Sequence, residues 1–141
     1  PIPNMKGFDV SYSGVKTAFT NFIYKQTQNN SNFIIENLND LCASLQFTLV
    51  QIILKKIEQV AKIHNLKQIV IGGGVAANSE LRNQLNKRQK SHNWEVFLPP
   101  LKYTTDNAAM IAIVGYLKFK NGEFSDLDIT AKARFDLGNF A

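Results

Sequence analysis

The chain has 141 residues, 45% apolar and 19% charged, with a formal net charge of +5 and a pI near 9.4. That size and balance suit one globular domain that buries about two thirds of its unfolded surface, so neither a disulfide nor a structural metal is needed for stability. A single cysteine, Cys42, excludes an internal disulfide, and no apolar run is long enough to span a membrane.

In chain order, the opening "PIPNMKGFD" has no initiator Met and no signal peptide, and it reads as cut from something longer. "GFDVSYSG", residues 7–14, alternates Phe8, Val10 and Tyr12 with Asp9, Ser11 and Ser13, a strand pattern. Ser13 offers an N-cap hydroxyl to a helix whose stripe is Val15, Ala18, Phe19, Phe22 and Ile23, fading in "QTQNNSN". A longer helical region runs from Phe33 to His64 on Leu38, Leu41, Leu45, Leu49, Ile52, Ile53, Ile57, Val60 and Ala61. Asn37 to Asp40 can break it in two, with Asn39 or Asp40 capping the new start. Cys42 lies on this apolar region and is expected to be a small buried hydrophobe in a reducing cytoplasm.

"KQIVI", residues 67–71, is a short buried strand, followed by Gly72, Gly73 and Gly74 and a helix over 79–89. "WEVFLPP", residues 94–100, is a second strand, stopped by Pro99-Pro100. A strand, a helix and a strand at this spacing predict a parallel pair with a right-handed crossover, hence α/β packing. The last strong helix runs from about Thr105 to Lys120 and ends at "NGEF". Residues 123–141 form a weakly patterned tail, in which Arg134 and Phe135 return to the body and "DLGNFA" frays.

Two places carry chemistry. The glycines follow the carboxyl end of a strand, where open α/β sheets bind ligands, and bare backbone there admits a phosphate or sugar. Asn78 enters the next helix with an amide that both donates and accepts. The alternative is a plain tight turn with Asn78 or Ser79 as its cap. The sequence is neither a Walker loop nor a dinucleotide fingerprint, because both the Lys-Ser/Thr and the glycine spacing are absent.

The second place is "YTTDNAAMIAIVGY", residues 103–116, a helix apolar on nearly every side and expected to be buried. Asp106 sits at its mouth, either as an N-cap or as a carboxylate held for a cation. His64 and His92 have no ligand spacing, and Cys42 lacks a basic neighbour that would activate it. Ser11, Ser13 and Lys16 resemble a nucleophile cluster; capping accounts for the serines, and a secondary binding role stays open.

"FDVSYSGVKTA", "NLNDLCASLQ", "IGGGVAANSELR" and "YTTDNAAMIAIVGY" occur in an order and spacing that resembles the C-terminal portion of the bacterial TsaD family, once labelled glycoprotease. The resemblance covers nearly the whole chain. It implies the C-terminal lobe of an actin-like ATPase fold, a mixed sheet with flanking helices, here a single partial domain over residues 1–141 of a longer two-lobed protein. It implies a cytoplasmic transferase moving a threonylcarbamoyl group from threonylcarbamoyl-adenylate to N6 of the adenosine beside the anticodon, in tRNAs reading codons that begin with A. Mapped onto this sequence, the family's motifs make Asn78, Gly73 and Gly74 contacts to the adenylate. They make Asp106 one ligand of an iron or zinc ion, whose two histidines, in HxxxH, belong to an N-terminal lobe.

This chain contains no HxxxH and no "SGGHT"-like loop, so by itself it is expected to hold metal weakly and to be inactive. The implied partners are tRNA, a paralogous subunit of the same fold and a small ATPase, with no membrane. Other readings are a noncatalytic binding module like that paralogue, an ATP-hydrolysing or kinase lobe of the same fold, and the metalloprotease of the old label. The glycine corner and Asp106 are expected to face one hollow.

Overall fold

A computed structural model describes residues 7–130. The first residues, Arg134, Phe135 and "DLGNFA" lie outside the described residues. The expected single domain is described as two compact units, Pro1–Thr105 and Asp106–Ala141.

In the first unit the order is α1 (Ser13–Asn29), α2 (Phe33–Glu36), α3 (Leu38–Ile63), β1 (Gln68–Val70), α4 (Ser79–Ser91) and β2 (Glu95–Phe97). A 3-10 turn over Gly74–Ala77 joins β1 to α4, and another over Leu101–Tyr103 follows β2. The two strands pair in parallel, with Gln68 opposite Glu95, Ile69 opposite Val96 and Val70 opposite Phe97. The βαβ crossover expected from spacing is therefore present, with α4 as its helix.

The core forms where one face of α3 meets α4 and the sheet. Val50 and Leu54 of α3 pack with Leu81 and Leu85 of α4, each pair one helical turn apart. Ala61, Ile69 and Trp94 extend this core toward the start of the strands, and Ile57, Ile71 and Val96 touch both clusters. Leu54 and Leu85 are fully enclosed; burial of each such side chain stabilises by about 1.5–3 kcal/mol. The sheet reads with period two, since Ile69 is buried while its neighbour Val70 is 74% exposed.

Both α3 and α4 end in the same way. Asn65 and Asn93 follow the two C-caps, His64 and His92, and each has φ 51°. Leu66 then donates its amide to the Ala61 carbonyl at 2.9 Å, and Trp94 donates to Gln89 at 3.0 Å. These are Schellman closures, with asparagine in the left-handed position that glycine more often fills. They turn the chain directly into β1 and β2.

Several expectations change. The stretch 7–14 forms no strand: among the described residues no strand bonds to it, and alternation without a partner leaves residues 8–12 irregular. Phe8 packs its ring edgewise on His64 instead, at 5.6 Å. Ser13 is the first residue of α1, not its cap; Tyr12 occupies that position and makes no side-chain capping hydrogen bond. The break between α2 and α3 lies in the expected stretch, but at Asn37 rather than at Asn39 or Asp40. Val50 and Leu54 belong to the core although the stripe read from sequence omits them, and Leu38, on that stripe, is 53% exposed. Cys42 is exposed, because the first turns of α3 have little packed over them.

In the second unit α5 spans Ala108–Lys120. Asn107 is its N-cap, its Oδ1 accepting from the Met110 amide at 3.3 Å, so the helix starts later than Thr105. Gly122, at φ 73°, ends it, and the Glu123 amide donates to the Lys118 carbonyl at 2.9 Å. The expectation that this helix is buried is not met: none of its residues is buried, and Ile111 is 78% exposed. Its composition is that of an interior helix. Residues 123–130 form neither helix nor strand.

Candidate functional site

The carboxyl end of β1 is where the sequence and the geometry converge. After Ile71 the chain passes through Gly72 and Gly73 into the 3-10 turn. Gly73 has φ 78°, a region that a side chain rarely adopts, so glycine is required there. Gly72 and Gly74 have ordinary φ values, and a Cβ at either would meet nothing within 4 Å. Packing inside this chain therefore explains one of the three glycines and leaves the other two unexplained. The Gly74 and Val75 amides open the turn and donate to no acceptor among the described residues.

Asn78 caps α4, with Oδ1 accepting from the Leu81 amide at 2.9 Å. The capping reading is thus correct, and it changes what the side chain offers. The carbonyl oxygen is committed, and Nδ2 is left with two N–H donors that no described residue uses. Asn78 therefore offers two unused donors beside an oxygen that already accepts one hydrogen bond as the cap.

Arg82, one turn further along, holds this corner in place. Nη1 donates to the Ala76 carbonyl at 2.8 Å and Nη2 to the Pro99 carbonyl at 2.9 Å. One planar guanidinium thereby ties the turn after β1 to the loop after β2. The sequence reading missed it; the available signal was a basic residue four positions after the Asn cap, where a helical side chain lies back over the first turn.

A cavity of about 500 Å³ opens beside the turn. Gly74, Val75, Ala77 and Asn78 line it from the turn, Leu49, Val50 and Ile53 from α3, and Leu81 from α4. Tyr12 completes it, and its hydroxyl donates to the Leu49 carbonyl at 3.5 Å. Burial pushes the Tyr12 phenol above its ordinary pKa, so it stays a neutral donor at any physiological pH. "SYSGVK" therefore does reach the glycine corner, through Tyr12. Lys16 lines a separate, smaller cavity between α1 and α3, while Ser13 is exposed and Ser11 accepts only from the Ser13 amide at 3.4 Å. The combination is an apolar hollow with a few directed polar groups at one side, the composition of a small-molecule site.

Asp106 lies in the second unit, just before the cap of α5; it is exposed, and no described residue pairs with it. Among the described residues no three His, Cys, Asp or Glu side chains come together as a metal-binding group. His64 and His92 both serve as helix C-caps, His92 with Nδ1 2.8 Å from the Ser91 hydroxyl and its ring 4.6 Å from that of Trp94.

Comparison with known proteins identifies the family. Residues 1–113 match the family model described as TsaD: tRNA N6-adenosine threonylcarbamoyltransferase. A protein of that name from Riemerella anatipestifer is 44% identical over 96% of this chain and 40% of its own length. Its counterpart in Porphyromonas gingivalis is 43% identical over 94% and 39%, and that in Christiangramia forsetii 41% identical over 96% and 40%. The chain thus spans about two fifths of the length of the curated relatives it matches. With four ordered motifs and a family match over residues 1–113, the chain belongs to the TsaD family of tRNA N6-adenosine threonylcarbamoyltransferases.

Proposed function

We propose that this chain is the C-terminal lobe, of actin-like fold, of an enzyme that transfers a threonylcarbamoyl group from threonylcarbamoyl-adenylate to the N6 amine of adenosine in tRNA. The exocyclic nitrogen attacks the carbamoyl carbon and gives up one proton to solvent, the bond from that carbon to the phosphate oxygen breaks, and AMP leaves. The observation that carries the reading is the corner itself: two glycines that internal packing does not need, unused amides at Gly74 and Val75, and unused Asn78 donors, all beside one cavity.

In this reading the adenylate lies across the turn. The bare backbone at Gly73 and Gly74 admits its phosphate or ribose, and Asn78 Nδ2 donates to one of its oxygens. Leu49, Val50 and Ile53 offer apolar surface to the flat base. Arg82 keeps the turn from shifting, so the donor is bound in one orientation, and positioning of this kind lowers the barrier before any chemical group acts.

A divalent ion, iron or zinc, fits this chain only in part. Asp106 is one oxygen donor, and the described residues add no further ligands to it. We therefore assign Asp106 as the chain's single contribution to a metal site whose other ligands lie in the rest of the protein, and we derive no step through the ion. Asp106→Ala in the full-length protein should lose bound metal, read by elemental analysis, while its unfolding transition stays unchanged. Full metal occupancy in that variant would remove Asp106 from the site.

The partners are tRNA, a paralogous subunit of the same fold and a small ATPase. The direct test supplies adenylate, metal and tRNA and reads modified adenosine by mass spectrometry. The full-length protein is expected to form it and this 141-residue chain alone is not; product from the chain alone would overturn the partition of the site between two lobes.

A further inference from the structure

The chain's charge is concentrated in one region. Residues 55–95 carry eight lysines and arginines against three carboxylates, which is the whole of the +5, while the remaining residues balance at eight of each. The segment includes the glycine turn, where Arg82 is engaged, but Lys62, Lys67, Arg88 and Lys90 lie at the opposite end of the first unit, where α3 and α4 finish and β1 and β2 begin. There a groove of about 440 Å³ is lined by Glu58, Lys62, Asn65, Lys67, His92 and Trp94, among others.

The polar groups of this groove are unevenly matched. Glu58 is taken by Arg88, whose Nε lies 2.6 Å from its carboxylate. Lys62 and Lys67 have no carboxylate partner among the described residues. The helix dipole accounts for Lys62, Arg88 and Lys90, which sit in the last turns of α3 and α4. It does not account for Lys67, which lies outside both helices at the entry to β1. His92 is held between Ser91 and Trp94, with Nδ1 engaged and Nε2 free to face solvent. Concentrated, unpaired cations around a polar groove suit a chain of phosphates better than a single small anion.

We propose that this groove is a second contact surface for the RNA substrate, with Lys62 and Lys67 each meeting a backbone phosphate and His92 adding a third donor. The inference rests on the reading of the chain as part of a tRNA-modifying enzyme, and places an RNA contact at the end of the sheet away from the donor site. Phosphate contacts of this kind fix register without reading sequence.

The test measures binding of unmodified tRNA to the full-length protein across a salt series. In Lys62→Gln/Lys67→Gln the slope of log affinity against log salt should become shallower by about 1 for each lysine. Affinity should fall, and binding of the adenylate should not change. Lys62→Arg/Lys67→Arg should restore the slope, and Lys118→Gln/Lys120→Gln, which removes equal charge from α5, should leave it alone. If the wild-type protein binds no tRNA, the parent reading fails and this one with it. If it binds and the groove variant keeps the full slope, or the α5 variant loses as much, the groove assignment alone is overturned.

Discussion

At the scale of single residues, Asn78 has two jobs that substitution can separate. Asn78→Asp keeps an oxygen for the Leu81 amide and removes both N–H donors, whereas Asn78→Ala removes both functions. The Ala variant should lose about 1 kcal/mol of stability, the usual cost of a lost N-cap, and the Asp variant nearly none. Both should bind the adenylate weakly, the Asp variant through lost donors and added negative charge. Paired thermal unfolding and calorimetric titration read the two effects; an Asp variant that binds the donor normally would leave Asn78 as a cap and nothing more. The glycines divide in the same manner. Gly73→Ala forces a side chain into φ 78° and should destabilise by about 1–2 kcal/mol. Gly74→Ala meets open space, so its stability should hold while donor affinity drops. If Gly74→Ala keeps full affinity, no ligand approaches the backbone there. The spacing of "GGGVAAN" located this corner but did not distinguish which glycine serves the backbone and which the ligand. That distinction depends on one dihedral angle and on what surrounds each Cα.

At the scale of elements, Arg82 decides whether the corner is rigid. Its two hydrogen bonds, to carbonyls in loops 23 positions apart in sequence (Ala76 and Pro99), are charge-assisted and partly buried, and each such bond contributes about 1.5–3 kcal/mol. Arg82→Lys keeps the charge but not the planar fork, so it should lower the unfolding temperature and speed amide exchange at Ala76, Ala77 and Asn78, with β2 less affected. Uniform exchange across the unit would show that the clamp is not local. Elements that stand on local signals were legible in the sequence: α4 with its Asn cap, the break near Asn37, and the β1–α4–β2 crossover, whose length alone implies parallel strands. Two kinds of feature were not. The strand expected over residues 7–14 rests on alternation, and alternation becomes a strand only where another strand supplies hydrogen bonds. The exits from α3 and α4 were readable in principle, since "IHNL" and "SHNW" each place an Asn after a His and before an apolar residue, a pattern the sequence reading did not use. Val50 and Leu54 were missed because α3 carries more apolar residues than one stripe, and spacing alone does not say which of them face α4.

At the scale of the whole molecule, the exposed apolar surface is the strongest statement. α5 carries Met110, Ile111, Ile113, Val114, Tyr116, Leu117 and Phe119, and none of them is buried. On the first unit, Val70 and Phe97 form an exposed cross-strand pair on one face of a two-stranded parallel sheet, a type of sheet ordinarily covered on both faces. Apolar surface of this extent marks sites of protein contact. The curated relatives are about two and a half times as long as the matched segment, so they contain enough additional chain to supply such cover. We therefore expect the 141-residue chain, prepared alone, to self-associate as its concentration rises and to bind a hydrophobic dye. Ile111→Glu with Leu117→Glu on α5, or Val70→Glu on the sheet, should each reduce the association, because each places a charge where apolar contact drives it. The full-length protein should show neither dye binding nor association at these surfaces. Sedimentation velocity over a concentration series, run beside dye titration, separates the outcomes. A chain that remains a monomer without dye binding would mean that these faces are stable in water as they stand, and that no further segment is needed to cover them.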